Sequence, residues 1–137
     1  MVVALWLSQD GGASAGTTVE LVVKDITPQA GTLMIGLYDK AEGFPGAAGG
    51  RIRKLVSVTG ATQKIVFENV PPGTWAAAVA HDANGNGKLD TKIFGIPAEP
   101  VGTSNDAPAR FGPPKFDDAK FVVADKPVSL PIKLALP

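Results

Sequence analysis

Apolar and polar residues alternate with a period of two in several short runs. Val19, Leu21 and Val23 alternate with Thr18, Glu20, Val22 and Lys24, as in a strand with one face in a core. Pro28-Gln29-Ala30-Gly31 ends that run, and Thr32 to Tyr38 predicts the next strand, with Leu33, Ile35 and Leu37 on one face. Lys40 to Gly50 reads as a loop rich in glycine and alanine. Its Phe44 is expected to plug one end of the core, because single loop aromatics usually pack inward. Arg51–Val58 and Lys64–Val70 predict two further strands around the turn Thr59-Gly60-Ala61-Thr62. Pro71-Pro72-Gly73 is a firm stop, since proline donates nothing to a ladder and glycine permits the turn. Thr74 to His81 follows. Its run Trp75-Ala76-Ala77-Ala78-Val79-Ala80 has helical propensity, but the flanking breakers leave too short a span, so a strand is predicted.

Periodicity then weakens. Thr91 to Lys120 holds five prolines (Pro97, Pro100, Pro108, Pro113 and Pro114). A stretch of that length without regular structure is unusual in a compact domain and often functional. Ile93, Phe94, Ile96, Phe111 and Phe116 argue that it folds back on the body, and Lys115 to Ala119 predicts a short helical turn after Pro113-Pro114. Two strand-like runs close the chain. Phe121-Val122-Val123 comes first. Then Val128, Leu130, Ile132, Leu134 and Leu136 alternate with Ser129, Pro131, Lys133 and Ala135, and Pro131 marks an edge strand. Seven short strands at near-regular spacing predict an all-β, antiparallel sandwich with a long irregular loop, Asp82 to Lys120, at one end.

Composition narrows the partners. The 137 residues suit one domain, here 17–137, after an N-terminal stretch 1–16. That stretch carries a short apolar run, Val2 to Leu7, and Ala13-Ser14-Ala15 in the small-residue pattern of a signal-peptidase site. It reads as a vestigial signal peptide or a disordered arm, and the first reading implies a periplasmic or secreted protein. Thirteen basic residues balance thirteen acidic ones, with no basic stripe to neutralise phosphates, so nucleic acid is not expected as a partner. No segment approaches the roughly 20 apolar residues of a membrane span. Cysteine is absent, which removes disulfides, thiolate metal sites and a cysteine nucleophile.

The strongest chemical signal follows the alanine-rich strand: His81-Asp82-Ala83-Asn84-Gly85-Asn86-Gly87-Lys88-Leu89-Asp90. With Asp82 as position 1 of a Ca²⁺ loop, Asn84, Asn86, the Lys88 carbonyl and Asp90 fall at positions 3, 5, 7 and 9, and Gly87 at the bend. A hard cation wants six to eight oxygens around such a bend. Position 12, where a bidentate glutamate belongs, is Ile93. Glu99 or Asp106 would have to complete the set from the long loop. With so few carboxylates the expected affinity is weak, on the order of 10⁻⁴–10⁻³ M. The competing reading is a metal-free turn, with Asp82, Asn84 and Asn86 bonded to nearby backbone amides.

Catalytic patterns are incomplete. His81 is the sole histidine, and its neighbour Asp82 would point to the opposite face of a strand, against a paired catalytic role. Gly102-Thr103-Ser104-Asn105 lacks the second glycine of a nucleophile elbow. Arg110 is the loop cation best suited to grip a carboxylate or phosphate, and an arginine that is solvated or bonded to loop carbonyls is the plainer reading. Trp75, Phe67 and Phe121 are expected in the core.

Two sets of motifs bear a family likeness. Pro71-Pro72-Gly73-Thr74-Trp75 resembles the approach to a strand in transthyretin-like and carboxypeptidase-regulatory-like immunoglobulin-type sandwiches. The longer combination is Val79-Ala80-His81-Asp82, Asn84 to Asp90, Phe94-Gly95-Ile96-Pro97, Ser104-Asn105, Phe111-Gly112-Pro113-Pro114 and Phe116. It resembles the bacterial DUF2141 family over about Val19 to Leu136. The resemblance implies an immunoglobulin- or transthyretin-like sandwich and export, and supplies no reaction. Ala83 stands where relatives often carry an acid. Transthyretin-like sandwiches include a purine-pathway hydrolase that needs several histidines and a C-terminal Tyr-Arg-Gly-Ser. This chain has one histidine and ends Lys133-Leu134-Ala135-Leu136-Pro137. The expected function is therefore an exported, non-enzymatic binding or structural module that meets a protein or small ligand at the 82–120 end. The alternative is a small hydrolase-type enzyme with a site between the 82–90 turn and the 104–116 segment, using His81, Asp82 and Asp106.

Overall fold

The computed structural model describes residues 16–46, 50–83, 99–109 and 112–136. Eight strands are described: β1 (Thr17–Lys24), β2 (Thr32–Tyr38), β3 (Ile52–Ser57), β4 (Gln63–Val70), β5 (Gly73–Asp82), β6 (Val101–Thr103), β7 (Phe121–Val123) and β8 (Val128–Lys133). A 3₁₀ turn, Ser104–Asp106, and one helical turn, α1 (Phe116–Ala119), lie between β6 and β7. The strands form two sheets. One has three strands in the order β4-β1-β8. The other has five, in the order β3-β2-β5-β6, with β7 pairing the first residues of β5.

Period-two patterning explains the core between them. In the smaller sheet, Val19 pairs with Phe67 and Val128, and Leu21 with Ile65 and Leu130, so each cross-strand row is apolar on the inner face. In the larger sheet the inner rows are Val56–Leu33–His81, Lys54–Ile35–Val79 and Ile52–Leu37–Ala77. Trp75 and Phe67 are the largest fully buried side chains, and the Trp75 indole donates to the Pro71 carbonyl at 2.8 Å. The core aromatics are placed as expected, with Phe121 packed at the margin.

The outer face of the larger sheet is buried as well. Ala76, Ala78 and Ala80 lie beside Tyr38, Gly36 and Met34 of β2, which leaves a trough of small side chains. Phe44 and Phe116 fill it, edge to face at 6.0 Å, and Phe44 meets Tyr38 the same way at 5.3 Å. Ala107 and Ala119 complete this second layer over Ala76. Phe44 thus packs inward, onto a sheet face and not the end of the sandwich. The described part of the long segment is likewise a cover laid along the sheet. It contains a strand, a 3₁₀ turn and the predicted helical turn, so it is neither structureless nor confined to one end.

Two further expectations change. The fold is all-β, but β1 and β8 run parallel, so the smaller sheet is mixed. The eighth strand, β6, is the one the sequence pattern omits. With three residues, one of them glycine, it shows no alternation. Pro131 does lie on an edge strand, β8.

Beyond β8, Ala135 exchanges two backbone hydrogen bonds of 3.0 Å with Val101 and seals that side of the sandwich. Gly102 sits on the inner face there, and a Cβ on it would lie 2.6 Å from the Lys133 carbonyl oxygen and 2.8 Å from Ile132 Cγ2. Gly102→Ala should therefore cost about 1–3 kcal/mol, the usual penalty of overpacking. Urea unfolding would measure it, and a midpoint equal to the parent's would show that the two strands can separate without loss.

Candidate functional site

The last residues of β5 form one pole of the sandwich, where the segment 84–98 leaves and returns. The His81 N–H donates to the Pro100 carbonyl at 2.9 Å, and the Ala83 N–H donates to Glu99 Oε2, also at 2.9 Å. The two limbs of the excursion are thus clamped side by side at its neck. Asp82 and Glu99, 2% and 7% exposed, bring two buried carboxylates to that neck. Buried carboxylates persist only with hydrogen-bond or charge partners, and both of these have them.

The turn between β1 and β2 braces the same place. His81 Nε2 lies 2.7 Å from the Ala30 carbonyl oxygen. A carbonyl only accepts, so Nε2 carries the proton, and the buried Nδ1 has no hydrogen-bond partner among the described residues. Gly31 follows with φ +82°, its carbonyl accepting from the Val58 N–H at 3.0 Å. A Cβ on Gly31 would overlap the Asp82 carbonyl oxygen and lie within 2.8 Å of the Ala83 carbonyl oxygen. Bare backbone is required where the turn meets the neck.

The sequence-derived candidates separate accordingly. Asp82 lies at the neck, on the outer face of the larger sheet, paired across to Thr32. Asn84, Asn86, Lys88 and Asp90 of the candidate Ca²⁺ loop, and Arg110, lie outside the described residues. Of the two distant carboxylates, Glu99 is at the neck. Asp106 is exposed on the 3₁₀ turn, far from it. Ser104, which opens that turn, is level with Ala77, and the five residues from Ala77 to Asp82 span roughly 16 Å of strand.

Ser104 is wholly buried. Its hydroxyl accepts from the Ala77 N–H at 2.9 Å and donates to the Ala119 carbonyl at 2.6 Å. Beside it, Asn105 Nδ2 donates to the Lys120 carbonyl at 2.8 Å. These bonds close both ends of the covering segment. His81 points between the sheets and Asp82 to the opposite face, as alternation requires. The acid–base candidates His81, Asp82 and Asp106 therefore do not converge. An open groove does lie in the cover, between Phe44 and Pro113-Pro114-Lys115-Phe116, and none of those three residues lines it.

The neck clamp was only half visible in the sequence. Glu99 was a candidate ligand, but nothing local marks it as bonded to Ala83. Gly31 carried a turn signal without indicating what it abuts.

These features define the class: an all-β, two-sheet protein whose larger sheet is covered on its outer face and whose central strand ends in a clamped excursion. The chain belongs to DUF2141, described as an uncharacterized protein family conserved in bacteria, whose profile matches residues 21–130. No curated protein and no solved structure matches it. Among the described residues no helix is long and apolar enough to cross a membrane.

Proposed function

We propose that this chain is an exported, periplasmic or secreted, non-enzymatic binding or structural module. On this reading its immunoglobulin- or transthyretin-like sandwich presents the 82–120 segment to a protein or small ligand, and the Asp82–Asp90 turn is a weak Ca²⁺ clasp that stiffens the presenting pole. The observation that carries the reading is the clamped neck: His81 to Pro100 and Ala83 to Glu99, with Asp82 and Glu99 both buried, one on each limb of the excursion. A clamp of this kind fixes where a loop starts and stops. The sequence that follows the clamp holds Asp82, Asn84, Asn86, the Lys88 carbonyl and Asp90, the oxygens that a cation would take on this reading. Glu99 supplies a third carboxylate at the base of the same excursion. The hydrolase reading has less to support it, because its acid–base candidates lie on different faces and Ser104 is engaged by backbone on both sides.

The test is thermal unfolding in Ca²⁺ and in Mg²⁺. A site of 10⁻⁴–10⁻³ M affinity at 10 mM Ca²⁺ stabilises the fold by about 1.4–2.7 kcal/mol, a rise of several degrees in Tm. Mg²⁺ should do far less, and Asp90→Asn should remove most of the Ca²⁺ response. A midpoint indifferent to Ca²⁺ at that concentration would leave the turn metal-free and end the clasp reading.

A further inference from the structure

The sandwich is sealed differently on its two sides. On one, the backbone of Ala135 continues from β8 to pair with Val101 of β6. On the other, the sheets end in β3 and β4, each with a strand neighbour on one side only among the described residues. Lys54 of β3 shares the inner-face row of Ile35 and Val79 but sits exposed at the margin of the core. Its ammonium is 5.0 Å from the centre of the Phe67 ring and donates to the Val66 carbonyl of β4. A lysine side chain thus spans the gap that on the opposite side is closed by backbone pairing. Exposed edges invite strand addition, and a lysine on the edge strand is a recognised way to block it.

The charge on β3 has the same sense. Ile52 to Ser57 holds Arg53 and Lys54 and no acidic residue, whereas β4 carries both Lys64 and Glu68. A second copy adding its own β3 against this β3 would bring like charges face to face, which is destabilising across a strand pair. On β3, Leu55 is 72% exposed, so the edge also carries the apolar surface that would reward pairing once the charge were gone.

We propose that Lys54 is an edge guard: by capping Val66 and holding its charge in the seam, it keeps the β3–β4 side from adding a second copy of this chain. The experiment is light scattering after size-exclusion chromatography, over a range of protein concentrations, on the parent, Lys54→Met and Lys54→Arg. Methionine keeps most of the stem over Phe67 and removes the charge. Lys54→Met should run at twice the parent's mass or more as concentration rises, with slowed amide exchange in β3, while the parent and Lys54→Arg stay monomeric. If Lys54→Met does not fold, Lys54→Gln, polar but uncharged, takes its place with the same expectation. A folded neutral variant that stays monomeric throughout, or a parent that is already oligomeric through β3, overturns the proposal.

Discussion

Gly31→Ala should unfold at much lower urea than the parent, with about 2–5 kcal/mol of stability lost. Two independent costs add. An alanine at φ +82° pays for a left-handed backbone, and its Cβ meets backbone oxygens of Asp82 and Ala83 that cannot rotate away. The damage should be local at first. The β1–β2 turn is held by His81 to Ala30 and by Val58 to Gly31, so pushing it outward loosens the base of the 84–98 excursion. Amide exchange of Ala83, whose N–H is bonded to Glu99, should rise more than that of Leu21 or Ile65 in the smaller sheet. A variant with parental stability and an unchanged Ala83 amide would mean that the turn does not support the neck.

Ser104→Ala should cost about 2–4 kcal/mol although it removes one oxygen atom. That oxygen serves the Ala77 N–H and the Ala119 carbonyl, and both are left without it in a place closed to solvent. Each orphaned group carries a desolvation penalty of about 1–3 kcal/mol. Because Ser104 ties the covering segment to the centre of β5, the variant should expose Phe116 and Phe44 before the sandwich core opens. Binding of an apolar dye at urea concentrations that leave the Trp75 fluorescence unchanged would show it. A serine acting as a nucleophile would behave differently: its loss would abolish a reaction and leave stability nearly unchanged.

Alternation made most of the sandwich legible. Val19, Leu21 and Val23, and Ile65 and Phe67, face inward as read, and the alanine-rich run is a strand because breakers at Pro71–Gly73 and after Asp82 leave no room for a helix. What escaped has physical causes. Period two is blind to strand direction, so the parallel β1–β8 pair could not be read from it. The covered outer face does have a signature in the sequence: Leu33 to Tyr38 is apolar at nearly every position, as a strand buried on both sides should be, and Ala76, Ala78 and Ala80 leave the space that Phe44 and Phe116 occupy. The candidate site was legible as a list of oxygen-bearing residues. Its clamp was not, because the bonds from His81 and Ala83 to Pro100 and Glu99 join residues that no local pattern connects.

A crystal structure grown in millimolar Ca²⁺ tests the clasp most directly. The expected result is a cation held by Asp82, Asn84, Asn86, the Lys88 carbonyl and Asp90, with oxygens at roughly 2.3–2.6 Å, above a neck still closed by Ala83 and Glu99. A turn closed on its own amides, with no cation within reach of Asp82 and Asp90, would contradict it.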